Sequence, residues 1–450
     1  MKKVLFAALN SSWTHSNLAH FYLREMLRDL DYTTIMKSYT LKEPLMQVME
    51  DIFRQQADII CFSAYIWNRV YLQQLHKGLK KILPELIFVI GGPEAEHFEQ
   101  DRQTKVILGV GEQAFRDLAV NGFVAPGNAK AGANLPLGQI PFPYHAADRD
   151  ILNGHLVYYE SYRGCPYHCI YCLSANDQRS EARFDLSRTS EQDRLHRELD
   201  ALSSLAPRTL KFIDRSFNVQ RNLAHAIWSY AIAKDCSHDF HFEIYPDLLD
   251  EEDLQLLSQA PEARIRFEIG IQSINADVLE LCGRYSNWEK SQAGLLALKK
   301  RTKVRVHADL IVGLPGEDKA SVLRGLDELC RCEPAAVQLG SLKILPDTPM
   351  QEIARRRNYR WLDFPPYQVL SSDTLSFDEI CQLDDYAHLL NLYWNKEEHQ
   401  DVWHSLLQKY PASKILSELK DIHMRHDLPL HSISRQRRNW LIQILTDHLY

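Results

Sequence analysis

Ser161-Tyr-Arg-Gly-Cys165-Pro-Tyr-His-Cys169-Ile-Tyr-Cys172 is the stretch on which the reading of this chain turns. It brings three thiols, spaced four and three residues apart, into one short loop. Soft thiolates suit an iron–sulfur cluster, and a compact loop can aim all three at one cube. Two other readings stay open. Zinc would need a fourth ligand, and His168 sits between the cysteines. A buried structural trio would need no metal at all. Two features favour the cluster. Tyr171 precedes the last cysteine, and the loop follows an apolar strand pattern, Val157–Tyr162, that opens a long alternating series.

Downstream of the loop, further strands are predicted at Leu210–Asp214, Phe240–Tyr245, Ile265–Ile271, Val304–Val312 and Ala336–Ile344. Helical patterns separate them, near Glu191–Leu202, Leu223–Lys234, Glu251–Gln259, Trp288–Lys299 and Lys319–Cys330. Six β/α units predict an incomplete barrel, not the full eight. Period-two alternation puts Arg266, Glu268, Gly270 and Gln272 on one face, and His307, Asp309 and Ile311 on one face of the next strand. A barrel filled only for stability carries branched apolar residues inside. This polar interior predicts a polar guest, with an internal salt-bridge network as the alternative.

Upstream, residues 1–120 alternate apolar runs with amphipathic helical stretches such as Leu18–Leu30 and Val70–Leu83. Strands are predicted at Val4–Leu9, Thr33–Lys37, Asp58–Ser63, Ile87–Ile90 and Val106–Val110. That alternation predicts a doubly wound parallel sheet, which binds ligands at the carboxyl ends of its strands. Residues 121–150 read as a Gly/Pro-rich linker, 151–350 as the partial barrel, and 351–450 as a small all-α region. The whole chain is thus α/β with a helical C-terminal end.

Composition excludes several classes. A net charge of −7 gives no general pull toward nucleic acid or anionic membrane. The apolar run at the N-terminus ends at Asn10, too early for a signal peptide or a span. Nine cysteines, without a secretory signal, favour reduced thiols in a cytoplasmic protein over a disulfide framework.

The Cys-x3-Cys-x2-Cys loop closely resembles that of the radical S-adenosylmethionine (SAM) superfamily, over about Val157–Met350. The resemblance implies a 4Fe–4S cluster on Cys165, Cys169 and Cys172, with SAM chelating the open iron through its amine and carboxylate. It also implies that Tyr171 belongs to the cofactor loop. Phe267-Glu-Ile-Gly-Ile-Gln-Ser273 is similar to the family strand whose acidic residue contacts the SAM ribose, which points to Glu268 and, on the same face, Gln272. Leu310-Ile-Val-Gly-Leu-Pro-Gly-Glu317 looks like the segment against the adenine, with Ile311 and Gly313 as the positions carried over. Arg284 is a candidate partner for the SAM carboxylate, or a plain surface charge. The family's Gly-Gly-Glu segment is absent. Phe212-Ile-Asp-Arg-Ser-Phe-Asn218 stands in its place and offers Asp214 to the SAM ammonium.

A doubly wound domain ahead of such a barrel resembles the cobalamin-binding class of the superfamily, a branch with a helical C-terminal extension. This makes residues 1–120 a Rossmann-like cobalamin-binding domain. Its ligand-facing loops would be Asn10–Asn17 with His15 and Ser16, Ser63–Asn68 with Tyr65 and Trp67, Gly91-Gly92-Pro93, and Gly109–Glu112 with Gly111. The Asp-x-His-x-x-Gly motif that supplies a cobalt-ligating histidine is missing. His15 lies in the right loop, but Trp13 stands two residues before it and cannot accept from an imidazole. The cobalt is therefore expected to lack a histidine, and Tyr65, Ile66 or Trp67 to cover its lower face.

The resemblance implies a cobalamin-dependent methyltransferase. A deoxyadenosyl radical would abstract hydrogen from an unactivated carbon of an unknown substrate, and cobalamin would relay the methyl group. A flavodoxin- or ferredoxin-type electron donor and a monomeric state are expected with it. Rival readings are a non-methylating radical reaction (cyclisation, ring rearrangement or oxidation) and a tRNA- or protein-modifying enzyme. The remaining six cysteines form no second cluster motif, which weakens the last.

Overall fold

The computed structural model describes residues 1–124, 129–130, 135–176 and 179–449. Part of the predicted linker, 125–128 and 131–134, lies outside them. The chain forms two compact units: Met1–Arg163 with Glu181–Ile213 and Asp235–His238, and Gly164–Ser180 with Asp214–Lys234 and Asp239–Tyr450.

The first unit is led by a parallel sheet of β1 (Lys2–Asn10), β2 (Tyr32–Thr40), β3 (Ile59–Ser63), β4 (Ile87–Gly91), β5 (Thr104–Leu108) and β6 (Ala129–Lys130), in the order β2-β1-β3-β4-β5-β6. From Val4 onward β1 is buried on both faces, as a central parallel strand must be. Leu5, Ala7 and Leu9 pack with Val48, Ile52, Leu72, Leu75 and Leu79. Val4 and Phe6 pack on the other side with Met26, Leu27, Phe115 and Leu118. The strand order reverses between β1 and β3, so the loops after these two strands flank the crevice where such sheets take ligands. The short β6, inside the predicted linker, pairs with β5 at Ile107 and Leu108.

The same unit contains β7 (Leu156–Tyr159), β8 (Tyr162–Arg163), β9 (Glu181–Ala182) and β10 (Thr209–Phe212). β7 and β10 are parallel, and β8 and β9 form a two-residue antiparallel ladder.

In the second unit, β11 (Asp239–Ile244), β12 (Ile265–Gln272), β13 (Arg305–Val312) and β14 (Ala336–Ser341) are parallel neighbours in sequence order. Burial alternates strictly along β12 and β13. Phe267 packs on Trp228 of the helix Arg221–Ala233, with ring centroids 5.5 Å apart. The helices therefore cover that face, and Arg266, Glu268 and Gly270 look the other way, into the interior. No closed barrel forms. Among the described residues β14 pairs with β13 alone, while β15 (Arg360–Trp361) and β16 (Val369–Ser371) make a separate antiparallel ribbon. The pattern of residues 351–376 did not suggest that ribbon, because its strands are only two and three residues long. After Ser376, which caps the next helix together with Glu379, the chain is helical: Phe377–Leu389, Gln400–Leu407, Ala412–Arg425 and Arg435–Leu449. No helix of the described residues is long and apolar enough to cross a membrane.

Candidate active site

The cysteine loop leaves β8 and returns at β9, pinned by the pairs Tyr162↔Ala182 and Arg163↔Glu181. Gly164 opens it with φ +96°, and a Cβ there would lie 1.6 Å from the Arg179 carbonyl oxygen. Only glycine fits both demands. Within the loop, Cys172 N donates to the Cys169 carbonyl at 3.0 Å. Ile170 is held from two sides, by the Cys282 carbonyl and by Met350 N, each at 3.0 Å. All three cysteines are unbridged, and Cys169 is buried. Burial pushes the Cys165 thiol pKa up, and its two neighbouring thiols add to the shift, against Tyr167 N–H and the Ser216 hydroxyl. A thiolate trio here needs positive charge to persist, which a bound metal supplies. No three His, Cys, Asp or Glu among the described residues converge on a single ion.

Arg284 is no plain surface charge. It is 9% exposed, its Nη1 lies 4.0 Å from Cys169 Sγ, and its Nη2 donates to the Gly270 carbonyl. The guanidinium lies over the Tyr245 ring at 4.5 Å, and Tyr245 stacks on Tyr167. Arg284 Nε is buried with no hydrogen-bond partner among the described residues. The same holds for Gln272 Oε1. One orphaned donor and one orphaned acceptor near a cluster thiol fit a polar ligand such as SAM. Tyr171 is an electrostatic neighbour of Arg284 and Cys169. Asp214 is buried at 1% exposure and has a partner of its own. Ile311 lies on the interior face of β13, and Gly313 follows the strand at φ +97°, its carbonyl accepting from Tyr359 Oη at 3.0 Å. Glu268 has a basic neighbour already, His241 Nε2 at 3.0 Å from its Oε2. Two further pairs line this interior, His307 with Asp309 at 3.2 Å and Arg215 with Glu243 at 3.5 Å.

In the first domain several candidate residues have work within the fold. Asn68 is 1% exposed; its amide donates to the Leu9 and Ser63 carbonyls at 3.0 Å each and accepts from Tyr65 N at 2.8 Å. It stitches the ends of β1 and β3 and sets the Tyr65–Trp67 loop, whose two rings stack at 4.3 Å. Gly92 has φ +100°, and a Cβ there would lie 2.6 Å from the Ala64 carbonyl oxygen, so its bareness serves the backbone. At Gly91, just before it and Pro93, an added Cβ would meet only Ile107, at ordinary van der Waals distance. Gly109 has φ +77° and open space where a Cβ would stand, and a Cβ on Gly111 would meet only Ile107, which leaves room for a ligand at that loop. Glu112 Oε1 accepts from Arg163 Nη2 at 2.8 Å. Ser16 Oγ donates to the Leu156 carbonyl at 2.7 Å, and His15 Nδ1 lies 2.5 Å from Tyr158 Oη.

Sequence reading missed the anchors of these groups. Arg163 joins Glu112 to Glu160, binding the latter at 3.0 and 2.7 Å, and all three are largely buried. Tyr158 as partner of His15, and Ser273 with Glu317, were also missed. The pairs His15–Tyr158, Glu112–Arg163 and Ser273–Glu317 join residues 44 to 143 positions apart, beyond any local spacing rule.

Residues 159–329 match the model of the Radical SAM superfamily, residues 4–119 that of the B12 binding domain, and residues 356–421 that of a protein of unknown function. The chain thus carries a radical SAM domain preceded by a B12-binding domain. It is 23% identical over 371 residues to the cobalamin-dependent radical SAM methyltransferase TokK of Streptomyces tokunonensis, covering 72% of this chain and 53% of the relative. It is 24% identical to 2-(S-pantetheinyl)-carbapenam-3-carboxylate methyltransferase of Streptantibioticus cattleyicolor, over 65% of this chain and 48% of that protein. The chain thus spans about half the length of these curated relatives. Among solved structures, the cobalamin-dependent SAM radical enzyme OxsB aligns with a TM-score of 0.69 at 14% identity, covering all of this chain and 80% of that one. The radical SAM methyltransferase TsrM of Kitasatospora setae aligns with a TM-score of 0.64 at 16% identity, over 82% and 80%. These two likenesses show the fold.

Proposed function

We propose that this protein is a cobalamin-dependent radical SAM methyltransferase acting on an unactivated carbon. The observation that carries the reading is a loop of three unbridged thiols beside two orphaned polar atoms, Arg284 Nε and Gln272 Oε1, in a chain that also has a B12-binding domain. When bound, the cluster and SAM supply one-electron cleavage to a carbon radical, and cobalamin supplies a methyl carrier. The chain's own residues bind, orient and shield. Cys165, Cys169 and Cys172 hold the cluster. Arg284, Gln272, Asp214, Ile311 and Gly313 face SAM, with Tyr171 at the loop and Glu268 toward the ribose. The carboxylates and histidines inside the partial barrel face the polar substrate.

In the first domain, Gly109–Gly111 and the Tyr65–Trp67 stack face cobalamin, and His15 stays off the cobalt. The division 1–120, 151–350 and 351–450 separates cobalamin, SAM and helical parts, joined by 121–150. We further propose a monomer in the cytoplasm, served by an external flavodoxin- or ferredoxin-type reductant.

The test is anaerobic incubation of the cobalamin-loaded, cluster-reconstituted chain with SAM and a reductant. One equivalent of S-adenosylhomocysteine per cobalamin, together with 5′-deoxyadenosine, is the expected result. Deoxyadenosine without any S-adenosylhomocysteine would replace methyl transfer by a non-methylating radical reaction.

A further inference from the structure

The last turn of β12 is irregular. The register with β13 shifts between Gly270 and Gln272, and Gln272 is held at φ +70°, a backbone region that side chains disfavour. Its amide folds back over Gly270: a Cβ on that glycine would lie 2.1 Å from Gln272 Nε2. This placement of the amide thus uses the bareness of a glycine two residues earlier, and it leaves Gln272 Oε1 buried with no hydrogen-bond partner among the described residues. Strain and an orphaned acceptor at one residue persist only where neighbours over-determine the geometry.

Those neighbours are visible. On one side Arg284, 4.0 Å from Cys169 Sγ, donates to the Gly270 carbonyl. On the other side Ser273 N bonds to the Ile271 carbonyl at 2.9 Å and closes the tight turn around Gln272. The Ser273 hydroxyl donates to Glu317 Oε1 at 2.5 Å. Glu317 is 2% exposed, and the same oxygen accepts from Ser321 Oγ at 3.1 Å. Its backbone is fixed as well, for its carbonyl accepts from Thr374 Oγ1 at 2.8 Å. A carboxyl buried this far from water is costly unless it has a fixed task. Holding the Ser273 turn is the task its contacts describe.

We propose that Glu317 is a positioning residue for the SAM site: through the Ser273 hydroxyl it holds the bulge that turns the Gln272 amide oxygen toward SAM. It touches neither cluster nor SAM, and acts only through Ser273 and Gln272. The inference rests on the reading that Gln272 faces SAM.

The experiment uses the full chain, anaerobically reconstituted, with iron counted and SAM affinity measured by calorimetry without reductant. Glu317→Ala and Ser273→Ala should keep full iron and weaken SAM binding roughly tenfold, the effect of one lost buried hydrogen bond. Glu317→Gln retains the acceptor oxygen and should stay within about threefold of the parent. Gln272→Ala/Glu317→Ala should bind no more weakly than Gln272→Ala, because the glutamate acts through that residue. Full SAM affinity in Glu317→Ala with a weakened Gln272→Ala would overturn the positioning role alone. A further loss in the double variant, or a Glu317→Gln as weak as the alanine, would overturn it too. Unchanged affinity in Gln272→Ala would remove the SAM reading of that strand end and the inference with it. Should Glu317→Ala fail to fold, Ser273→Ala removes one hydroxyl from the same bond and decides the matter.

Discussion

Glu317 makes pH a probe of the interior. Burial pushes its carboxyl from 4.5 up to about 7, with Asp318 adding to the shift and the Ser273 and Ser321 hydroxyls and Arg324 opposing it. The folded state therefore binds more protons than the unfolded state between those values, and stability falls as pH rises through that window. The shift corresponds to about 3 kcal/mol at most. Glu317→Gln should match the parent near pH 4.5 and be the more stable protein at pH 8, with the difference opening between pH 4.5 and 7. Thermal unfolding of both proteins across that range checks it; parallel curves would mean the carboxylate is solvated. His15 carries a second prediction at this scale. Its Nδ1 is 2.5 Å from Tyr158 Oη, and its loop is bound to β7 through Leu156 N to the Thr14 carbonyl at 2.7 Å. The cob(II)alamin form should show no nitrogen superhyperfine splitting in electron paramagnetic resonance, and His15→Ala should leave that spectrum unchanged. A splitting lost in the variant would put His15 on cobalt.

At the scale of elements, the cluster loop is closed by a ladder of two residue pairs, which is weak by itself. Gly164 lets its two ends pass. A Cβ placed 1.6 Å from the Arg179 carbonyl oxygen cannot be relieved by rotating a side chain, and φ +96° adds strain. Gly164→Ala should thus lose most of its iron after reconstitution, although all three cysteines remain. Iron analysis beside far-ultraviolet circular dichroism separates this from global unfolding; a full cluster in the variant would refute the crowding. The buried Arg163 before it, with Glu112 and Glu160, anchors the ladder.

For the whole molecule, the parallel sheet of the first domain has its own apolar core on both faces, free of any cysteine ligand of the cluster. Cobalamin binding should therefore not depend on the cluster. Cys165→Ala, Cys169→Ala and Cys172→Ala should each lose the iron–sulfur absorbance and still bind one cobalamin per chain, read from the corrin spectrum. Loss of cobalamin along with iron would tie the two sites into one folding unit. A cluster retained in all three variants would remove the ligand assignment itself.

Local spacing is what the sequence could express. It determined the cysteine loop, the two β/α series and the helical end, because hydrophobic periods and a four-and-three thiol spacing are properties of neighbouring residues. The polar interior of the barrel was legible for the same reason: period two alone puts Glu268, His307 and Asp309 on the face opposite the helices. What those residues touch was not. That His241 meets Glu268, that Tyr158 meets His15, and that Arg163 claims Glu112 are decided by segments far apart in the chain. The bulge at Gln272 was hidden too. A strand pattern assigns a residue to a face, but only packing against Arg284 and Ser273–Glu317 can hold the backbone at a positive φ. Pattern records which atoms a segment must bury, while pairing between distant segments is settled by the free energy of the whole packed interior.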